Sequence, residues 1–265
     1  MSLLNEILLA KKEQIREAKK RLPLAEVKKE VENKPIASGN FLKTLKSDDL
    51  EIKIIAEIKK ASPSAGDILI SDIDILDLAK LYRMNGVSCI SVLSEEKFFK
   101  GSLWDLKLIK DNISIPILRK DFIVDEYQMY ESKYFMADAI LLIARILEPG
   151  ELRRFSDLAK GLGLDLIFEV HDISDLDKVM DLNPDIVGIN NRDLESLEVS
   201  FTRSEELIKQ IPKEVFKISA SGIKSHNDIL YLKSLGVDGF LIGESILKTD
   251  DKAKYIRGLL GYDKG

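Results

Sequence analysis

A single cysteine among 265 residues, Cys89, rules out an internal disulfide framework and any metal site built on paired thiolates. It lies inside the apolar run Val87 to Leu93 and reads as a buried structural thiol, not a nucleophile. Only two histidines are present, His171 and His226. Neither has a metal-ligand spacing and both lie at polar loop starts, so they read as surface residues and no metal is expected. Long apolar runs are also missing: the richest, Ala137 to Leu147, is broken by Asp138 and Arg145 and falls short of the ~20 residues a membrane span needs. The N-terminal MSLLNEILLAKKEQIREAKKRL is amphipathic and charged, without the apolar core and small-residue cleavage site of a secretory signal. The expectation is a cytoplasmic, soluble chain with no membrane partner. The net charge is -5, and the Lys and Arg residues are interspersed with Asp and Glu, so no field attracts a polyanion and no nucleic-acid partner is expected. Phosphate-loop and dinucleotide fingerprints are absent too; Gly161 and Gly163 in KGLGLD stand between a helix and a strand, the wrong order for such a motif. No cofactor is expected, and the basic side chains that matter must act locally, on a small anion in a pocket.

What is present is a cadence. Eight short apolar, often β-branched runs recur: Ile52 to Ile58, Val87 to Leu93, Ile115 to Leu118, Ala139 to Ile143, Leu166 to Val170, Ile186 to Ile189, Phe216 to Ser219 and Phe240 to Ile242. Their starts lie about 20 to 35 residues apart, room for a strand, a crossover helix and two loops, which reads as βα units around a parallel sheet. Near-continuous apolar character fits strands buried on both faces. Helical spacing follows the first run (Leu76, Leu78, Ala79, Tyr82) and precedes the last (Ile229, Leu230, Leu232, Leu235), with Gly86 and Gly236 at helix ends. The expected fold is an α/β (β/α)8 TIM barrel, one domain over residues 1–265, a usual size for such a barrel and leaving no length for a second. Residues 1–50 form a helical N-terminal extension, including Leu4 to Ala18 and Phe41 to Leu45, interrupted at Pro23 and Pro35. Either it only solubilises the chain or it caps one end of the barrel and helps to build the site.

A barrel of this kind carries its chemistry at the C-terminal ends of its strands. There the first run ends in Glu57 and Lys59, the third in Lys120 followed by Asp121, the fifth in Glu169, the sixth in Asn190 with Arg192 beyond, and the seventh in Ser221. Each alone could begin a solvated loop. Together, brought to one mouth by the fold, lysines and glutamates suit proton transfer on an anionic substrate, a lysine acting as general acid where neighbouring cations lower its pKa and a shielded carboxylate acting as base. After the seventh and eighth runs, Ser221-Gly222-Ile223 and Gly243-Glu244-Ser245 place small residues where loops of such barrels hold phosphate through backbone N–H groups. A phosphorylated small molecule is the expected partner.

Several segments carry a family resemblance: IIAEIKKASPSAGDI at 54–68, SVLSEEKFFKGS at 91–102, PILRKDFIVDEYQ at 116–128, ADAILLIARIL at 137–147 and VGINNRDLESLEV at 187–199. In order and over essentially the whole barrel, the chain resembles the indole-3-glycerol-phosphate synthase family. The first and third segments are the most specific, because related phosphosugar barrels do not combine them. The resemblance implies decarboxylating ring closure of 1-(2-carboxyphenylamino)-1-deoxyribulose 5-phosphate in tryptophan biosynthesis. It further implies that Lys120 is the general acid at the ketone oxygen, Glu169 the general base in the dehydration, and Lys59 the contact to the substrate's anionic groups and donor to the departing hydroxyl. Glu57 and Asn190 orient the lysines and the sugar. Ser62, Arg192 and Ser221 match further substrate contacts, Gly222, Gly243 and Glu244 present backbone N–H groups to phosphate, and Phe99, Phe122 and Leu141 wall the aromatic ring.

One position departs from the family pattern. Its seventh strand usually ends in Glu-Ser-Gly, whereas this chain reads KISASGIK, with Ala220 in place of the glutamate. Alanine can neither accept a proton nor pair with a cation. A barrel that binds phosphosugar but turns it over poorly therefore stays open beside the active lyase, as does an isomerase acting on a phosphoribosyl amine.

Overall fold

Residues 2–33, 40–63, 66–68, 74–193 and 196–262 are described by a computed structural model. Pro35 and parts of two of the quoted segments, 64–65 and 194–195, lie outside them. Eight parallel strands close into a barrel: β1 (Lys53–Ile58), β2 (Cys89–Leu93), β3 (Ile117–Lys120), β4 (Ala139–Ile143), β5 (Asp165–Val170), β6 (Ile186–Asn190), β7 (Phe216–Ala220) and β8 (Gly239–Ile242). Each pairs with its sequence neighbours, and β1 closes the ring by pairing with both β2 and β8. Parallel neighbours require a crossover. Helices such as Ile75–Met84, Leu103–Asn112, Glu126–Tyr134, Pro149–Gly161 and His226–Leu235 supply it. Among the described residues no helix is long and apolar enough to cross a membrane.

The period of two along each strand sorts its residues into two apolar bodies. Ile55, Cys89, Leu118, Ala139, Ile167, Ile186, Ile218 and Leu241 point inward and pack on one another inside the ring. Their neighbours Ile54, Ile90, Ile117, Ile140, Phe168, Val187 and Phe240 point outward onto helix residues such as Leu78, Leu106, Phe155 and Ile229. Burial on both faces explains why the strands read as unbroken apolar runs, and burial in this interior pushes the Cys89 thiol pKa up.

The N-terminal extension encloses the barrel at both ends. Helices α1 (Leu3–Arg21), α2 (Leu24–Glu32) and α3 (Phe41–Leu45) precede β1. Phe41 and Leu45 of α3 join the interior cluster, and the Leu42 amide donates to Asp165 Oδ2 at 2.9 Å at the first residue of β5, so α3 plugs the N-terminal end. At the opposite end Leu3, Leu4 and Ile7 of α1 line the cavity at the mouth. The helix is pinned there by an ion pair sealed from solvent, Lys11 Nζ to Asp121 Oδ1 at 2.7 Å. Burial disfavours the Asp121 carboxylate, but Lys11 and Arg119 outweigh it and hold its pKa below the usual aspartate range. Breaking a sealed pair strands a charge. Lys11→Met is expected to destabilise the fold by about 2 to 3 kcal/mol, at the low end because Arg119 Nη2 still lies 3.1 Å from Asp121. A fall in the thermal midpoint of roughly 5 °C or more should accompany it. A melting curve unchanged from the parent would show that the pair does not hold α1.

Candidate active site at the C-terminal mouth

The closed barrel brings the polar ends of β1, β3, β5 and β6 to one mouth. Ile55 opposes Cys89 and Glu57 opposes Ser91 across β1 and β2, Leu93 opposes Lys120, Glu169 opposes Gly188, and Asn190 opposes Ala220. With inward residues alternating, Glu57, Lys120, Glu169, Asn190 and Ala220 all face the interior at the C-terminal ends of their strands. A cavity of about 840 Å³ opens above them. Its lining contains Glu57, Lys59, Ser62, Phe99, Lys120, Phe122, Leu141, Glu169, Asn190, Arg192, Ser221, Gly222, Gly243 and Glu244, so all fourteen residues singled out from the sequence meet at one place.

Glu57 is the hinge of the charge arrangement. Its Oε1 lies 2.6 Å from Lys59 Nζ and its Oε2 lies 2.9 Å from Lys120 Nζ, one buried carboxylate bridging two ammonium groups. Burial disfavours the Glu57 carboxylate, yet Lys120 and Lys59 more than offset this and bring its pKa down to about 2. Burial likewise works against the Lys120 ammonium, but Glu57 and Glu169 outweigh it and raise its pKa above lysine's ordinary value. This corrects the expectation of a lysine depressed by neighbouring cations: the free site holds Lys120 firmly protonated, because carboxylates face it more closely than cations do.

Across the mouth Asn190 Nδ2 donates to Glu169 Oε1 at 3.2 Å, and Asn190 Oδ1 accepts from Ser221 Oγ at 2.9 Å and from the Arg192 amide at 3.1 Å. Ser221 takes a left-handed backbone conformation, φ 71°, and Gly222 follows at φ 89°. A side chain on Gly222 would come within 2.5 Å of Val199 Cγ1. Glycine at 243 has a different cause: a Cβ there would lie 2.7 Å from Glu57 Oε1 and 2.8 Å from its Cβ, so this glycine makes room for the bridging carboxylate. The four-residue helix Glu244–Leu247 starts immediately after it, and the first-turn amides of a helix have no partner within it. The Glu244 side chain turns away to Lys248 at 2.7 Å and Arg192 at 3.2 Å, which keeps it ionised, chiefly through the Lys248 hydrogen bond.

The opposite wall is apolar. Phe99 and Phe122 stand with ring centroids 6.2 Å apart, beside Leu141. The residues missed in the sequence are the rest of that wall: Leu3, Leu4 and Ile7 from α1, with Leu93 and Ile143. Their signal was present as the apolar stripe of the first helix, and the structure decides for an extension that caps the barrel and helps to form the cavity.

His171 is a correction. A polar loop start suggested a surface side chain, but His171 is 2 % exposed, directly behind Glu169. The sequence VHDISD is polar because Asp172 caps the next helix and Asp175 folds back beneath the strand, its Oδ2 accepting the His171 amide at 3.1 Å. His226 is partly exposed, with Nδ1 2.9 Å from the Leu259 carbonyl.

Comparisons with known proteins point to one family. A sequence profile described as indole-3-glycerol phosphate synthase matches residues 4–259. The chain is 46% identical over 263 residues to the indole-3-glycerol phosphate synthase of Thermoanaerobacter pseudethanolicus, covering 99% of each chain. It is 42% identical over 258 residues to that of Campylobacter jejuni subsp. doylei, covering 97% of this chain and 100% of the relative. Among solved structures, a mutant tryptophan synthase alpha-subunit from Pyrococcus furiosus superposes with a TM-score of 0.58 at 17% identity, covering 79% of this chain and 98% of that one, a likeness of fold alone.

Proposed function

The chain belongs to the indole-3-glycerol phosphate synthase family, and on that premise we propose how its own residues carry out the ring closure. The enzyme is a carbon–carbon lyase of tryptophan biosynthesis. It converts 1-(2-carboxyphenylamino)-1-deoxyribulose 5-phosphate to indole-3-glycerol phosphate, with loss of carbon dioxide and water. The observation that carries the assignment is the Lys59–Glu57–Lys120 bridge facing the Glu169–Asn190 pair across one cavity. The aromatic ring of the substrate lies against Phe99, Phe122 and Leu141, and the phosphate at the opposite rim takes backbone N–H groups of Gly222, Gly243 and Glu244. Ser62, Arg192 and Ser221 complete the binding of the chain between them.

In the first step the ring carbon bearing the carboxylate attacks the ketone carbon while Lys120 gives its proton to the ketone oxygen. The carbon–carboxylate bond then breaks, its electron pair returning to the ring, and carbon dioxide leaves. In the second step Glu169 takes a proton from the new ring while Lys59 protonates the departing hydroxyl, which leaves as water. Glu57 keeps Lys120 charged and aims both lysines, and Asn190 orients Glu169 and the sugar. Holding the two reacting carbons in an attack geometry contributes several kcal/mol of barrier lowering in such intramolecular reactions.

Ala220 is buried at the end of β7, opposite Asn190 in the register. Glu57, Lys120, Glu169 and Asn190 are all in place at the mouth, so the unaltered chain is expected to form product on mixing with the carboxyphenylamino-deoxyribulose phosphate, followed as growth of indole fluorescence. Ala220→Glu is expected to raise kcat up to about tenfold by adding a further carboxylate to orient cations at the mouth. Growth only in the glutamate variant would mean that the remaining groups do not suffice, and silence in both would overturn the assignment.

A further inference from the structure

The segment SVLSEEKFFKGS carries a buried carboxylate that the ring closure leaves unused. After β2 come two glutamates in succession: Glu96 is exposed, whereas Glu95 is 1 % exposed and turned under the loop that follows. Its Oε1 accepts the Lys97 amide at 3.0 Å, and its Oε2 accepts the Phe98 amide at 2.7 Å and the Phe99 amide at 3.0 Å. Three consecutive N–H groups that belong to neither a strand nor a helix thus converge on one side chain. Backbone amides need a partner wherever the chain runs, and a carboxylate, with two oxygens that each accept more than one donor, serves all three. The Glu95 carbonyl closes the same loop from its other end, accepting the Gly101 amide at 2.7 Å.

The residue this cradle fixes is Phe99. Its ring lines the mouth cavity beside Phe122, and Phe98 and Phe99 both pack on the interior cluster of the barrel. The Phe99 carbonyl accepts the Ala61 amide at 3.2 Å, next to Ser62. Phe99 is therefore held by its N–H from Glu95 and by its C=O from the segment after β1, and the rotamers open to a side chain follow from its backbone. Among the described residues lining the cavity Glu95 does not appear, so its influence passes through the backbone of residues 97–99.

We propose that Glu95 is a positioning residue that sets Phe99 as a wall for the aromatic half of the substrate, and so governs how tightly the enzyme holds the ring and not the phosphate. This rests on the reading of Phe99 as a wall of the ring site. The phosphate groups Gly222, Gly243 and Glu244 stand on the loops after β7 and β8, which supplies an internal control.

Glu95→Gln keeps the length of the side chain but exchanges one acceptor oxygen for an NH2 group, so at least one amide of the turn loses its partner. Two probes separate the halves of the site: indole-3-glycerol phosphate carries ring and phosphate, and glycerol 3-phosphate carries the phosphate alone. By titration calorimetry the variant is expected to bind indole-3-glycerol phosphate about tenfold more weakly and glycerol 3-phosphate within about twofold of the parent. Phe99→Ala should weaken indole-3-glycerol phosphate by itself, and the double variant should lie within about twofold of Phe99→Ala, because the carboxylate then has no ring to aim. Equal losses for both probes, a parent-like affinity in Glu95→Gln or additive losses in the double variant each overturn the proposal. A further measurement needs no variant. In the unaltered enzyme indole-3-glycerol phosphate should slow deuterium exchange of the Phe98 and Phe99 amides by about fivefold or more, and glycerol 3-phosphate should not. Exchange indifferent to the ring-bearing probe overturns the proposal even if Glu95→Gln fails to fold. If Phe99→Ala leaves the affinity for indole-3-glycerol phosphate intact, it is the reading of Phe99 as a wall that fails; if Phe99→Ala weakens it and Glu95→Gln does not, the inference about Glu95 fails alone.

Discussion

Glu57→Gln is expected to lower kcat by about 10²- to 10⁴-fold and to bring a loss of activity on the alkaline side into the accessible pH range. The amide keeps the shape of the side chain but removes the one anion shared by Lys59 and Lys120, at 2.6 and 2.9 Å. Two ammonium groups then face each other with their common counter-ion gone, and burial, the largest influence on Lys120, is opposed mainly by Glu169. The Lys120 pKa must fall. In the parent enzyme the lysine stays protonated through the working range, so the alkaline limb lies high; in the variant it moves down. The stability consequence has its own sign. Glu57 has a folded-state pKa of about 2, below the ordinary glutamate value, so its contribution is fully present above the unfolded pKa and lost as pH falls toward 2. The variant should therefore show less loss of stability between about pH 5 and 2 than its parent. Rate–pH profiles and acid unfolding curves test the two halves independently. A parent-like alkaline limb would mean that Glu57 does not set the charge of Lys120.

The barrel was legible because its two faces are chemically alike. Nearly every strand is apolar inward and outward, β7 with Lys217 and Ser219 on its outer face being the exception, so eight runs with helical spacing between them suffice to count the units. What blurred the boundaries was function. The run beginning at Ile115 predicts a strand ending at Leu118, but β3 starts at Ile117 and continues to Lys120. Pro116 has no N–H for the ladder. Arg119 passes for a loop residue by sequence; in the fold it is 2 % exposed, its charge held by Asp121 and Glu131. β6 likewise runs one residue further, to Asn190. A strand that ends in a working polar side chain looks shorter than it is.

The site was legible for a related reason: position on the barrel converts a polar residue after an apolar run into a mouth residue. Two kinds of residue escaped that rule. Leu3, Leu4 and Ile7 reach the mouth from outside the βα repeat, and nothing in a helix's amphipathic stripe states which surface it covers. His171 escaped because polarity in a sequence marks either solvent or a buried charge partner, and only the fold of Asp175 back under β5 tells them apart.

Lys120→Met should cost about 10³-fold or more in kcat while leaving the protein folded and substrate binding within a few-fold. Methionine keeps the apolar stem, and Glu57 retains Lys59 as its counter-ion, so no carboxylate is stranded. What disappears is the proton given to the ketone oxygen, without which the attack of the ring carbon must generate an unprotected alkoxide. Lys120→Arg separates the two contributions of the ammonium. A guanidinium keeps the positive charge beside Glu57 but does not release a proton in this pH range. If the lysine acts as an acid, the arginine variant remains within about tenfold of the methionine variant, since charge alone cannot substitute for proton transfer. If arginine instead restores turnover to within about tenfold of the parent, Lys120 stabilises the oxyanion by its field, and the proton at the ketone oxygen must come from another group at the mouth. Single-turnover indole fluorescence distinguishes these outcomes, because it reports the chemical steps without the release of product.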